Sequence, residues 1–235
     1  FAIPYNMDYF ALDAVFRQPN LVVNKFGERI MNEEYLENTT FGGNIISQQP
    51  DCWGLSIFDE RTLKGYKRDG LDLVSLVHGP GAIDQFDEDL QKAFDQGYEY
   101  AYAAESIEEL AEKAGVDPDG LQDTLDEYNE ACDNNYDDLF YKNHRYMKPI
   151  EKPKFYAAKL FPSAYGTLGG IKINHRTEVL TDNHEVVPGL YAAGTDACSI
   201  YSHSYMFTLP GNTMGFALNS GRIAGENAAE YALES

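Results

Sequence analysis

Val187-Pro188-Gly189-Leu190-Tyr191-Ala192-Ala193-Gly194 is the stretch from which the fold can be read. A Pro-Gly turn opens it, an apolar pair follows, and three small residues close it. Small residues at the end of a strand let the backbone approach a neighbour closely, either a tightly packed helix or a flat, bulky ligand. Upstream, Thr167-Leu168-Gly169-Gly170 leads into an extended piece at 170–173 and poses the same two alternatives. Downstream, Pro210-Gly211-Asn212 precedes a helix expected from about Asn212 to Ala232, with small residues in Gly221-Arg222-Ile223-Ala224-Gly225. Gly211-Asn212-Thr213 opens that helix, whose unpaired N–H groups suit an anionic or electron-rich group.

Moving toward the N-terminus, another extended piece is expected at 155–160, just after a compositional break at Pro149-Ile150-Glu151-Lys152-Pro153. Before the break the pattern is helical. Ser106-Ile107-Glu108-Glu109 reads as a capping box for a helix that stops at Gly115. Asp117-Pro118 supplies an N-cap and a first-turn proline for the next helix. On it, Leu121, Leu125, Tyr128 and Cys132 share one apolar face. Still earlier, Leu21-Val22-Val23 and Trp53–Phe58 read as strands. The fold class is therefore α+β, a helical and mixed module inserted between strand-bearing flanks.

Composition narrows the function. The 235 residues suffice for one large domain or two modest ones, and a net charge of −20 disfavours binding to nucleic acid or anionic lipid. No apolar run is long enough to span a membrane. Thirteen acidic residues lie between Glu105 and Phe140 against one basic residue, Lys113, which suits either a solvated helix face or a docking face for a basic partner. Cys52, Cys132 and Cys198 are too scattered for a zinc site, and no histidine pair has ligand spacing, so no metal is assigned.

Three segments in order resemble the fumarate reductase and succinate dehydrogenase flavoprotein family. The first is Pro19-Asn20-Leu21-Val22-Val23-Asn24-Lys25-Phe26-Gly27-Glu28-Arg29-Ile30-Met31-Asn32-Glu33, similar to the entry into that family's mobile cap. The second is 106–129, ending Glu127-Tyr128-Asn129 and similar to the helical hairpin of the cap. The third is the glycine-rich tail quoted above, similar to the end of the flavin domain. The resemblance implies a flavin-domain segment and cap entry at 1–31, a capping domain at 32–152, and the C-terminal segment of an FAD-binding α/β domain at 153–235. It also implies FAD as cofactor, with Gly169, Gly170, Gly194, Asn212, Thr213 and Met214 near it. The family's ribose-binding acid position holds Thr195 here, so Asp196 is expected to take that role one residue late. No Gly-x-Gly-x-x-Gly occurs. An N-terminal FAD-binding half is thus expected to be missing, with little or no FAD held by this chain alone.

The carboxylate clamp of fumarate reductases is largely gone. By resemblance, Gly166 replaces a histidine, Thr208 a clamping arginine and Leu63 a proton-donating arginine, with Arg61 nearby as a candidate donor. In their place the tail offers Tyr201-Ser202-His203-Ser204-Tyr205, where Tyr201 or Tyr205 is expected to polarise a carbonyl or relay a proton, assisted by His203. Fumarate is therefore disfavoured as substrate. The expected activity is hydride exchange between flavin N5 and an activated C=C bond of an enone or unsaturated acid. A small-molecule substrate and an electron-donor protein are the expected partners, and the compartment is left open. A non-catalytic acidic interaction module is the alternative.

Overall fold

The computed structural model describes all residues except 76–77, 165, 202–204, 206–208, 210 and 235. The chain divides into two units, Phe1–Ser163 and Ala164–Ser235.

The first unit is built on an antiparallel sheet of four strands, β1 (Leu21–Val23), β2 (Gly54–Asp59), β3 (Ala101–Ala104) and β4 (Phe155–Leu160), in the order β1-β2-β4-β3. Its side chains alternate between two cores. Val22, Phe58, Tyr156, Ala158 and Leu160 join one hydrophobic cluster, while Leu21, Val23, Leu55, Ile57, Phe155 and Ala157 join the other. Helices cover both faces, which is why β2 is buried along its whole length, Ser56 and Asp59 included. The first face packs against α1 (Phe10–Phe16), α3 (Glu60–Asp69) and α4 (Phe86–Asp95). The second packs against α5 (Ile107–Ala114) and α6 (Pro118–Asp133), and a further helix, α2 (Thr39–Ser47), precedes β2.

The sequence punctuation around α5 and α6 is reproduced. Ser106 Oγ accepts from Glu109 N at 3.2 Å, the Glu109 carboxylate accepts from Glu105 N at 3.1 Å, and Gly115 ends α5 at φ +69°. Asp117 caps α6 through Asp119 N, and Leu121, Leu125 and Tyr128 are buried. Cys132 on the same face is only half-buried. The sharp turn at Gly27, φ +78°, lies against the first turn of α6. A Cβ on Gly27 would sit 2.2 Å from Leu121 N, and one on Gly120 would sit 2.2 Å from the Phe26 carbonyl oxygen.

β4 hydrogen-bonds to β2 and β3 along its length, so residues 155–160 belong with the first unit, which extends past the compositional break at 149–153. Beneath the sheet edge a buried ionic network ties the entry segment to the loop after α6. Glu33 pairs with Arg29 at 2.9 Å and Lys142 at 3.1 Å, and Arg29 also reaches Asp137 at 2.8 Å. Asp137 in turn accepts from the backbone N–H groups of Leu139, Phe140 and Lys142.

The second unit has a two-stranded ribbon, β5 (Glu178–Leu180) with β6 (Val186–Tyr191), and the long helix α7 (Asn212–Glu234). Residues 170–173, expected as a strand, form only isolated bridges at Gly170 and Ile173. Its described buried apolar residues are Val179, Ala197 and Cys198. No helix among the described residues is long and apolar enough to cross a membrane.

Candidate functional site

In the second unit the three fragments of the glycine-rich tail meet. Gly170 adopts φ +135°, and a Cβ there would stand 2.3 Å from the Asp196 carbonyl oxygen, which accepts from Ile171 N at 2.7 Å. The missing side chain of Gly170 thus makes room for the chain's own backbone. Gly169 faces open space. Gly194 takes φ +63°, and its N–H donates to Ser220 Oγ on α7 at 2.9 Å, fixing the turn Gly194–Asp196 against that helix. The Asp196 side chain is exposed beside this joint.

The start of α7 is open. Gly211 precedes it at φ +75° with no atom within 4 Å of a Cβ placed there, and Met214 in the first turn is 67 % exposed. The Asn212 amide is already engaged by the Leu209 carbonyl, as is its side-chain nitrogen at 2.7 Å. Of the first-turn residues read from sequence, Thr213 and Met214 are thus the better placed to address a ligand with backbone N–H groups.

Tyr201 and Tyr205 come together, ring centroids 5.5 Å apart, with Phe216 of α7 edge-on to Tyr201 at 6.4 Å. The Tyr205 hydroxyl lies 3.4 Å from Thr213 Oγ1 at the helix start. Partial burial, reinforced by Tyr205 and Cys198, raises the pKa of Tyr201, so its phenol keeps its proton and can donate. His203 and Thr208 lie outside the described residues. No Lys or Arg occurs between Arg176 and Arg222, and those two are held by Glu230 and Glu226 at 2.9 and 2.7 Å. This stretch therefore offers neutral donors and aromatic faces but no lysine or arginine for a carboxylate.

In the first unit, Arg61 at the start of α3 is half exposed and turned to the surface, where it donates to the Pro149 carbonyl at 2.9 Å and pairs with Glu151. Leu63 is buried in the core. Sequence reading missed a second polar cluster behind α3. Lys148 is ion-paired with Asp72, and its Nζ lies 4.3 Å from the centroid of the Tyr66 ring. The Tyr66 hydroxyl donates to Asn20 Oδ1 at 2.8 Å. Nothing local marked Tyr66 or Lys148 in the sequence. Among the described residues, no His, Cys, Asp and Glu group could hold a metal.

The family model for the FAD binding domain matches residues 16–214. The chain belongs to the FAD-binding domain family. FAD is the cofactor that this family takes. The chain is 32 % identical to vinyl phenol reductase of Lactiplantibacillus plantarum over 93 % of its own length and 44 % of that protein. It is 30 % identical to 3-oxosteroid 1-dehydrogenase of Mycolicibacterium smegmatis, over 97 % of this chain and 41 % of the relative. Among solved structures, the open conformation of a flavocytochrome c3 fumarate reductase superposes with a TM-score of 0.65 at 25 % identity, covering 94 % of this chain and 34 % of the other. This chain spans less than half the length of these relatives.

Proposed function

We propose that the protein containing this chain is an FAD-dependent oxidoreductase acting on a C=C bond conjugated to a neutral carbonyl or aryl group, with fumarate not among its substrates. The observation that carries the reading is the aromatic pair Tyr201 and Tyr205 at the mouth of α7, in a stretch without lysine or arginine. Two named relatives, a vinyl phenol reductase and a 3-oxosteroid 1-dehydrogenase, support a neutral, ring-bearing substrate.

The residues present fit one wall of a flavin site. Thr213 and Met214 would offer backbone N–H groups and the positive end of the α7 dipole, in front of which Gly211 leaves open space. The exposed Asp196 carboxylate suits ribose hydroxyls. Bound there, the flavin would supply hydride exchange. Tyr201 and Tyr205 stack against a flat substrate and donate a hydrogen bond to its carbonyl or phenol oxygen, which draws electrons from the double bond. The electron donor that reloads the flavin is taken to be a separate protein or a soluble reductant.

The test is a visible absorption spectrum of the full-length protein, reduced and then mixed with enones, vinyl phenols and unsaturated acids. Flavin absorption restored by the neutral substrates is expected; a colourless folded protein, or re-oxidation by fumarate alone, overturns the reading. Substituting both Tyr201 and Tyr205 by Phe is expected to lower turnover about 10²-fold or more with flavin content unchanged.

A further inference from the structure

A phenol polarises a substrate oxygen only while its proton points at that oxygen, and a freely rotating hydroxyl turns to whichever acceptor is nearest. We propose that Thr213 is the positioning residue for Tyr205: its side-chain hydroxyl donates to the Tyr205 oxygen and so leaves the phenol proton for the oxygen of the substrate. This rests on the oxidoreductase reading above and deepens it by naming the tyrosine that is prepared to donate.

One face of α7 carries the inference, and every contact lies within the second unit. Thr213, Phe216, Ala217 and Ser220 stand at i, i+3, i+4 and i+7, and all four meet the segment between Gly194 and Tyr205. Ser220 Oγ accepts from Gly194 N at 2.9 Å and donates to the Phe216 carbonyl at 2.6 Å. Ala217 lies against the same glycine, its Cβ 3.5 Å from where a Gly194 Cβ would stand. Phe216 meets the Tyr201 ring, and Thr213 Oγ1 lies 3.4 Å from the Tyr205 hydroxyl. The helix thus holds the segment from one end to the other, and at the tyrosine end it does so with a hydroxyl.

The direction of that bond follows from the surroundings of Thr213. A helical threonine commonly returns its proton to the carbonyl four residues back. For Thr213 that carbonyl is Leu209, which already accepts twice from Asn212, from the amide at 3.3 Å and from Nδ2 at 2.7 Å. Both of its lone pairs are engaged. The Thr213 proton therefore turns to Tyr205, and the phenol keeps its own proton to give. A separation of 3.4 Å is long for two hydroxyls; it is expected to close once the substrate accepts from Tyr205, because a phenol that donates becomes a better acceptor. Among the described residues no hydrogen bond reaches the Tyr201 hydroxyl, and its ring is fixed by Tyr205 and Phe216 alone.

The full-length enzyme tests this, with an enone or vinyl phenol that re-oxidises the reduced flavin. T213V keeps the branched shape and the backbone N–H but removes the hydroxyl, whereas T213S keeps the hydroxyl. T213V is expected to lower kcat roughly 10-fold with KM, flavin content and melting temperature held, and T213S to stay within about 2-fold of the parent. Added to Y205F, the T213V change is expected to cost nothing further, because the atom it serves is gone. An unchanged or faster T213V, a T213S as slow as T213V, or a T213V loss that persists in Y205F overturns the proposal. Fluorotyrosine in place of Tyr205 gives a readout independent of turnover. Its fluorine resonance is expected to move in T213V and to stay in T213S, and an unmoved resonance in T213V also overturns the proposal. A full-length protein without flavin, or one whose rate ignores Y201F and Y205F combined, overturns the functional reading beneath it instead, an outcome distinct from an active enzyme indifferent to T213V.

Discussion

Glu33 shows what one side chain can hold in place. Its carboxylate is fully buried and receives the Arg29 fork through two bonds of 2.9 Å, the Lys142 ammonium at 3.1 Å and the Val22 amide at 3.3 Å. Arg29 meanwhile lies over the rings of Tyr128 and Phe140 at 5.2 and 5.1 Å. Removing one partner strands the others in a poorly solvated place, so Lys142→Met is expected to cost about 3–5 kcal/mol in urea denaturation. A double replacement of Glu33 and Lys142 by apolar residues of similar size should cost less than the sum of the singles. The acid side of the stability curve belongs to this scale too. Burial works against ionisation of Asp137, but Arg29 and the backbone amides outweigh it and its pKa falls; Asp13 is lowered likewise by His78 and Arg17. A carboxylate depressed in the folded state adds stability above its unfolded pKa of about 3.9 and loses it as pH falls through the folded value. Urea midpoints are therefore expected to be flat from pH 7 to about 5 and to drop below about 4. In Asp137→Asn the midpoint at neutral pH should be lower and the acid drop shallower; an unchanged acid drop in Asp137→Asn and Asp13→Asn together would show that other groups cause it.

Between elements, backbone contact decides which glycines matter. Gly27 and Gly120 interlock the entry turn with α6, each with backbone 2.2 Å from where a Cβ would stand. Gly115 shares a positive φ with Gly27 but has open space around it. Gly115→Ala should thus cost about 1 kcal/mol from the left-handed conformation alone, whereas Gly27→Ala should cost well above about 2 kcal/mol by adding a backbone collision. Thermal denaturation of the two variants side by side checks the contrast. The sequence made the helices legible because caps and apolar faces are local: Ser106, Gly115, Asp117 and the Leu121–Leu125–Tyr128 face all stand as their spacing implied. The strand at Trp53–Phe58 was legible for the same reason. What it did not disclose was long-range. Nothing near Gly170 announces that the Asp196 carbonyl occupies the space of its missing side chain. Likewise Lys148, Asp72 and Tyr66 come from separate stretches with no shared motif, so only folding brings them together. Tyr201 and Tyr205 were legible because they are neighbours in the chain, but their link to Thr213 and Phe216 needed α7 to return alongside them.

Across the whole chain the two units are unequally provided with core. The first holds two hydrophobic clusters on either side of one sheet. The second buries three apolar residues among those described, and on α7 leaves Leu218 70 % and Leu233 89 % exposed. Burial on that scale offsets little of the entropy lost when the backbone is ordered. The apolar surface of α7 is what a further flavin-domain segment would be expected to cover. Limited proteolysis of this chain alone should therefore remove the second unit early and leave a resistant piece ending near Ser163; equal resistance of both units would show that the second stands unaided. The position of the single tryptophan gives this imbalance an optical consequence. Trp53 is nearly buried in the first unit, with the Lys159 ammonium 4.3 Å from its ring, and the second unit contains no indole. Emission excited at the red edge of protein absorption will then register melting of the sheet and stay silent while α7 unravels. Far-ultraviolet circular dichroism sees both, so the two signals should lose amplitude at different temperatures.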